Sequence, residues 1–404
     1  MSDKISKQGK SELLEVLRQR YQQAGKPDKT KILDEFVAVS GCHRKHAIRL
    51  LTGNRPIRND TSTAASRRLY DEAVREALIV LWEAADRICG KRLKALLPNL
   101  VSALERHGHL NLDAVVRQRV LAVSAATIDR LLTVVRSNTS HRKKRRTASK
   151  SSKEIPIRTF ADYGDPLPGY LEIDFVSHGG SSMQGVFLWS LVATDVCSGW
   201  TEAVALVARE QSLVVEGLEV IREQFPVPIR GIDSDNDSAF INETLQAYCR
   251  QQKWEFTRSR AYQKNDQAWI EQKNGAVVRR FVGYERHSGM LAGQCLARLF
   301  QGVRLFVNYF QPSMKLRSKI RVGAKVKKTY YKPATPCERL LMHASVAEVV
   351  KERLRVEQGR LDPLDLLHRI RESQAALAAL NSGELGSGQE RESLEKFLAG
   401  LPEL

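Results

Sequence analysis

Three carboxylates stand where they can act together: Asp174 in the apolar run 169–176, Asp235 closing Ile232-Asp233-Ser234-Asp235, and Glu271 in Asp266-Gln267-Ala268-Trp269-Ile270-Glu271-Gln272-Lys273-Asn274. Thirty-five residues lie between Asp235 and Glu271. Two acids that occupy or follow strand-like runs, with a third on a helix downstream, are a donor set able to hold a pair of divalent cations for phosphodiester chemistry. Oxygen donors that share their shell with water and phosphate favour Mg2+, with Mn2+ as a substitute. Brought together without a cation, three acids repel one another.

The elements that must position them can be read from periodicity. Residues 170–177, 185–195 and 200–207 are apolar or β-rich runs separated by glycine-containing breaks, which predicts three successive strands. A helix is expected over 211–225, stopped by Pro226 and Pro228, then a strand at 229–233, a helix at 241–252, a short strand at 254–257 and a long helix at 266–284 bearing Glu271. Three strands, helix, strand, helix, strand, helix predicts a mixed α/β sheet of five strands. In the first strand Leu171, Ile173 and Phe175 share one side, and Glu172, Asp174 and Val176 the other. Asp235 follows the fourth strand, where a loop at the strand's C-terminal end brings it beside Asp174; Asp233 and Asp237 are its rivals. Lys264 and Lys273 lie near enough in sequence to Glu271 to hold phosphates. His178, four residues past Asp174, is a candidate active-site neighbour; Asp195 reads as a turn residue between the second and third strands. Trp254 and Trp269 read as core or stacking surfaces, and Tyr262, Gln263 and Lys264 as a loop open to DNA.

Charge is segregated along the 404 residues. Lys plus Arg against Asp plus Glu is 31 to 15 over residues 1–150, 15 to 19 over 151–300 and 10 to 2 over 301–350. A basic front and a basic segment behind a mildly acidic middle suit DNA-gripping flanks around a core whose negative charge a metal offsets. The six cysteines are far apart with no paired short spacing, so neither a disulfide framework nor a zinc ribbon is indicated, and a reducing cytoplasm fits. Cys42, His43 and His46 are close, but no second ligand pair follows. Residues 1–10 are polar and no apolar run is long enough to span a bilayer, so no membrane role is expected.

In the front, residues 29–39 place Ile32, Leu33, Phe36 and Val37 on one helix face, and Ser40-Gly41-Cys42 breaks the chain before a second helix from His43. That is a helix-turn-helix pattern, with Gly41 supplying the positive φ of the turn. Ala47, Ile48 and Leu51 are expected inward and Arg44, Lys45 and Arg49 outward, toward a DNA groove. A second such unit is expected at 112–135, with Ser124 as a cap and Arg117, Arg119 and Arg130 as phosphate contacts. Arg142, Lys143, Lys144, Arg145 and Arg146 sit in a stretch without apolar periodicity and read as a DNA-tracking tether. Behind the middle region, the basic residues of 315–332, among them Lys325, Lys327 and Lys328, interleave with Tyr330 and Tyr331, a composition suited to nucleic acid. A final pair of helices is expected at 346–360 and 363–380, the latter with an apolar stripe that packs on the core or on another subunit.

The middle of the chain resembles the integrase core of the DDE recombinases, and the layout is similar to that of bacterial insertion-sequence transposases of the retroviral-integrase superfamily. The resemblance rests on Tyr170-Leu171-Glu172-Ile173-Asp174, Thr194-Asp195-Val196-Cys197-Ser198-Gly199-Trp200, Ser234-Asp235-Asn236, Phe240-Ile241-Asn242 and the stretch Asn265 to Asn274. It implies an RNase H-like fold with Asp174, Asp235 and Glu271 as catalytic and metal-holding triad, and it selects Asp235 over Asp233. It further implies two Mg2+ ions, double-stranded DNA as partner in the form of element ends and target, a homo-oligomer of at least two subunits on DNA, and a bacterial, nucleoid-associated location. Two positions depart from the pattern: Asp237 stands where a small Gly is usual, and Val278 where a basic residue is common, leaving Arg279, Arg280 or Lys273 as substitutes.

The expected organisation is a helix-turn-helix domain at 1–60, a second helical DNA-binding domain at 61–137, a basic linker at 138–155, the RNase H-like core at 156–290, a basic DNA-contacting segment at 291–342 and a helical tail at 343–404. A DNA-binding regulator that leaves such a core catalytically unused, and a plain RNase H-type nuclease, are the competing readings.

Overall fold

The computed structural model describes residues 7–53, 70–139, 166–235, 237, 239–258, 268–322 and 325–382. Two compact units are present, residues 1–69 and 70–404.

The first unit holds three helices, α1 (Lys7–Gln23), α2 (Lys26–Ser40) and α3 (Arg44–Thr52), around a core of Leu14, Leu17, Ile32, Leu33, Phe36, Ala47 and Leu51. Gly41 ends α2 at φ 65°, a left-handed conformation that costs an L side chain energy and glycine nothing. His43 then caps α3, accepting from the Lys45 N–H. The Arg18 guanidinium donates to the Leu50 carbonyl at 2.9 Å, tying α1 to the end of α3. One expectation is corrected: Ile48 is exposed, because two apolar positions one turn apart, Ala47 and Leu51, already fill the narrow face of a nine-residue helix.

The second unit begins with α4 (Glu72–Ala84), α5 (Gly90–Arg106), α6 (Ala114–Ala122), α7 (Ala125–Leu131) and α8 (Thr133–Thr139). Asp71, Asp113 and Ser124 cap α4, α6 and α7 through their side-chain oxygens. A five-stranded sheet comes next: β1 (Tyr170–Ser177), β2 (Trp189–Asp195), β3 (Thr201–Leu206), α9 (Gln211–Gln224), β4 (Gly231–Ser234), α10 (Glu243–Gln252) and β5 (Glu255–Arg258). Its order is β3-β2-β1-β4-β5, with β1, β2 and β3 antiparallel and β4 and β5 parallel to β1. Order and directions are those of the RNase H-like sheet that the resemblance implies.

The long helix expected over 266–284 is divided. A short α11 (Ala268–Lys273) widens into a π turn at Asn274–Val278 before α12 (Arg279–Phe281). The wider turn lets Val277 and Val278 both enter the core.

Next come α13 (Met290–Phe310), the hairpin β6 (Leu316–Val322) and β7 (Lys325–Tyr330), and the helices α14 (Pro336–Met342), α15 (Glu348–Arg360) and α16 (Pro363–Ser382). The boundary expected at 290 does not mark a structural break. Helix α13 lies on β3, and Asn308 accepts from Thr201 N–H at 3.0 Å and donates to its carbonyl at 2.9 Å. Its apolar residues belong to the core, and the basic character of the expected 291–342 segment begins only beyond the end of α13. The apolar stripe of α16 packs on α13 in the same chain, where the missing side chain of Gly302 admits Ile370: a Cβ there would meet Ile370 at 3.0 Å.

Helices α4 to α7 also share one continuous apolar core with the sheet unit. Arg92 donates to the Gln311 side chain at 2.8 Å, Asn99 to the Tyr309 carbonyl at 3.3 Å and Arg106 to the Gly359 carbonyl at 2.8 Å. The break expected between a separate 61–137 domain and the core is therefore not seen: α4 to α7 are built into the unit that carries the sheet. The tether at 138–155 lies outside the described residues except for its first two, and so does the end of the expected tail beyond residue 382. Among the described residues, no helix is long and apolar enough to cross a membrane.

Candidate active site

Parallel pairing of β1 with β4 sets Glu172 opposite Asp233 and Ile173 opposite Ser234. One residue further along each strand are Asp174 and Asp235, which therefore emerge side by side at the C-terminal end of β4. Asp233 is committed elsewhere, its carboxylate accepting from the Thr257 hydroxyl on β5 at 2.6 Å.

The segment bearing Glu271 is fastened to β1 by two side chains on Asp174's side of the strand and of the helix. Glu172, buried, accepts from the Ile270 N–H at 2.8 Å and so fixes the start of α11. Asn274 donates its Nδ2 to Asp174 Oδ2 at 2.7 Å, reaching back from the π turn. The Asn274 Oδ1 is buried with no partner among the described residues. Glu271 itself is exposed, one turn before Asn274. Sequence reasoning gives neither Glu172 nor Asn274 a role. The signal for both is present: an acid two residues from Asp174 in a buried strand, and an amide three residues past Glu271, on the same helix face.

Burial is the largest cause that pushes the Asp174 carboxyl up to about 6; repulsion from Asp235 and Glu271 adds to it, while the Phe175 N–H and the Asn274 amide oppose it. The Asp235 carboxyl is also raised, first by burial and then by Asp237, against the Asp237 N–H and the charge of Arg209. Asp174 thus feels both other acids, and the concentration of negative charge is one that a cation relieves. Among the described residues no three acidic, histidine or cysteine side chains are drawn close enough to enclose an ion. The three side chains are of a kind that suits a hard cation: Asp174, Asp235 and Glu271 offer carboxylate oxygens, with no sulfur or imidazole among them.

His178 is not part of this surface. It is fully buried, with Nε2 at 2.7 Å from the Ser190 hydroxyl and its ring 5.8 Å from that of His287. Burial drives its pKa down to about 3, so it stays neutral and reaches no phosphate. Lys273 is likewise interior, donating to the Gly199 carbonyl at 2.7 Å, with its pKa lowered by burial to about 7. The expected phosphate contact at Lys273 is corrected by that burial. Asp195 is a turn anchor, accepting from the Gly169 and Ser198 N–H groups and the Ser198 hydroxyl. Trp254 packs edge to face with Tyr248 in the core. Of the substitutes for the basic residue absent at Val278, Lys273 and Arg280 are engaged elsewhere, Arg280 with Asp86. Arg279 is half-buried over the Tyr284 ring at 5.0 Å.

Of the expected DNA contacts, Lys45 and Arg49 are exposed on α3, and Arg44 is paired with Asp34. Arg117 pairs with Glu105 and Arg119 with Asp71, holding α6 to its neighbours, while Arg130 is exposed. Lys327 and Lys328 are exposed on β7. Arg142, Lys143, Lys144, Arg145, Arg146, Tyr262, Gln263, Lys264 and the side chains of Trp269 and Lys325 lie outside the described residues. An open groove of about 670 Å³, lined by Arg209, Ser212, Asp237, Ala239 and Thr244 among others, runs beside the turn that carries Asp235.

A family model described as "Integrase core domain" matches residues 167–264, a span that includes Asp174 and Asp235 and ends before Glu271. The "Uncharacterized protein y4rM" of Sinorhizobium fredii (strain NBRC 101917 / NGR234) is 51% identical over 342 residues, which is 84% of this chain and 97% of that protein. Similar solved structures include the HTLV-2 integrase catalytic core domain in complex with magnesium. Its dimeric form is 13% identical, covers 37% of this chain and 92% of its own, and has a TM-score of 0.28. The trimeric form, also 13% identical, covers 36% and 88% at a TM-score of 0.27.

Proposed function

We propose, from the premise that the chain belongs to the same family as y4rM and carries an integrase core domain, that it is a DNA transposase acting on the ends of a mobile element. The observation that carries this reading is the β1–β4 register, which brings Asp174 and Asp235 out side by side, with the Glu271 segment fastened to the same strand by Glu172 and Asn274.

In this reading Asp174, Asp235 and Glu271 hold two Mg2+ ions, for which Mn2+ can substitute. When bound, the ions stabilise the attacking and leaving oxygens of an in-line displacement at phosphorus. The protein supplies no nucleophilic side chain: water attacks to cut at the element end, and the resulting 3′-hydroxyl attacks target DNA. Asp174 and Asp235 on the sheet form the fixed side of the site, and Glu271, exposed on its helix, the side nearest solvent. Asn274 orients Asp174: Oδ2 accepts from the amide and Oδ1 from the Phe175 N–H, and each carboxylate oxygen keeps a further lone pair for a cation. The helix-turn-helix of α2 and α3 reads the element end through Lys45 and Arg49, with Arg44 beside them; Arg130, Lys264 and the 142–146 and 325–328 clusters grip phosphates. Joining two ends calls for at least two subunits, and the site of action is the nucleoid.

The test is a strand-transfer assay with labelled element-end DNA and Mg2+. Asp174→Asn, Asp235→Asn and Glu271→Gln should each lower joining by roughly a thousandfold or more, about 4 kcal/mol of barrier, while DNA binding persists. End binding by the wild type without any cutting or joining would favour the regulator reading instead.

A further inference from the structure

Asp237 puts one more acid two residues beyond Asp235, in a site already crowded with negative charge. Left to itself, such a carboxylate would compete with Asp235 for a cation and repel it. The structure gives it three attachments. Its N–H donates to Asp235 Oδ1 at 3.0 Å, its Oδ1 accepts from the Ala239 N–H at 2.9 Å, and its Oδ2 accepts from the Arg209 guanidinium.

Arg209 comes from the connection between β3 and α9, far in sequence from the turn it holds. Its guanidinium lies 4.3 Å from the centre of the Trp189 ring and 5.9 Å from that of Phe175. Phe175 is in turn stacked on Phe240 at 4.3 Å and 8°. The aromatic platform from β1 and β2 therefore fixes the cation, the cation fixes Asp237, and Phe240 anchors the far end of the same turn. A planar guanidinium suits this double role of stacking and pairing, and an ammonium does not.

We propose that Arg209 is a positioning residue for the Asp235 carboxylate: it neutralises Asp237 and draws it aside, so that the turn presents Asp235 alone to a divalent cation. Asp237 then serves as an outer support, its main-chain N–H orienting Asp235 and its side chain no longer a rival ligand. Groups of this kind, one bond removed from a metal ligand, typically contribute about ten- to a hundredfold in metal affinity. The inference deepens the metal-dependent reading of the site and rests on it.

The experiment is a calorimetric titration of Mn2+ into the full-length, DNA-free protein, comparing wild type with R209A, R209K, R209Q and the double variant R209A/D237N. R209A should bind Mn2+ about tenfold more weakly, R209K should fall between, and R209A/D237N should recover most of the loss, since no acid is left to neutralise. Should R209A fail to fold by circular dichroism, R209Q and R209Q/D237N carry the same comparison. Unchanged Mn2+ affinity in R209A, or a double variant no better than the single, overturns the proposal. So does a salt dependence of DNA binding reduced by about one unit of slope in R209A, the mark of a direct phosphate contact. A wild type that binds Mn2+ yet joins no DNA would count against the transposase reading alone.

Discussion

Asp174 is a carboxyl that the fold pays to keep near Asp235 and Glu271, and its titration makes that cost measurable. In the unfolded chain it ionises near pH 4; in the metal-free folded protein it does so at about 6. Between those values the folded state holds the proton that the unfolded state has lost, so stability falls as pH rises through the window and levels off above it. Thermal unfolding in chelator should show that decline in the wild type, and Asp174→Asn should flatten it. Mg2+ added at about pH 7.5 should raise the melting temperature of the wild type and not of Asp174→Asn, because only the former regains a counter-ion. Lys273 slopes the opposite way. Its folded pKa of about 7 lies below the unfolded value near 10.4, so the unfolded chain binds more protons between them and stability rises with pH across that range. Lys273→Met should remove this rise; an unaltered alkaline slope in that variant would place the titration elsewhere.

At the scale of elements, the site depends on how a few segments approach one another. Two hydrogen bonds, Glu172 to the Ile270 N–H and Asn274 to Asp174, dock the Glu271 segment on β1. The π turn that begins at Asn274 shifts the helical phase of the residues after it, which is how Val278 comes to be core at a position where the resemblance implies a basic residue. Asn274→Ala should leave the fold intact but reduce joining by about tenfold or more, with Asp174 losing an oriented partner; equal joining by variant and wild type would show that Asp174 needs no such partner. The α13–α16 contact is set by the absence of a side chain. Gly302→Leu should destabilise by about 2 kcal/mol, since the added atoms meet Ile370 in a close-packed interface. Denaturant melts monitored with and without the substitution measure this directly.

For the whole molecule, each of the two units has its own apolar core. Residues 70–404 expressed alone should fold, keep divalent-cation binding and lose preference for element-end DNA over competitor, as measured by filter binding or gel shift at several salt concentrations. Retained end preference in that fragment would move recognition away from α3 and toward α6 and α7.

The amino-acid sequence by itself was sufficient for the strand and helix order, for the cap at Ser124 and for the turn at Gly41. These arise from local patterns: alternation in strands, helical periodicity, and the few residue types that cap or turn a chain. What only the tertiary structure decided were relations between distant segments. Lys273 and His178 look available in a linear reading and are buried, because whether a polar side chain meets solvent depends on what other elements lie over it. Ile48 shows the same in reverse. The fusion of α4 to α7 with the sheet unit, and of α13 with β3, arises from a shared apolar core and from polar contacts whose partners lie some 100 to 220 residues away in sequence, as in Thr201 with Asn308 and Arg92 with Gln311. Asp237 is the sharpest instance: alone it reads as an acid too many, and only the fold brings Arg209 to it, since pairing and stacking act through space and periodicity records nothing of them.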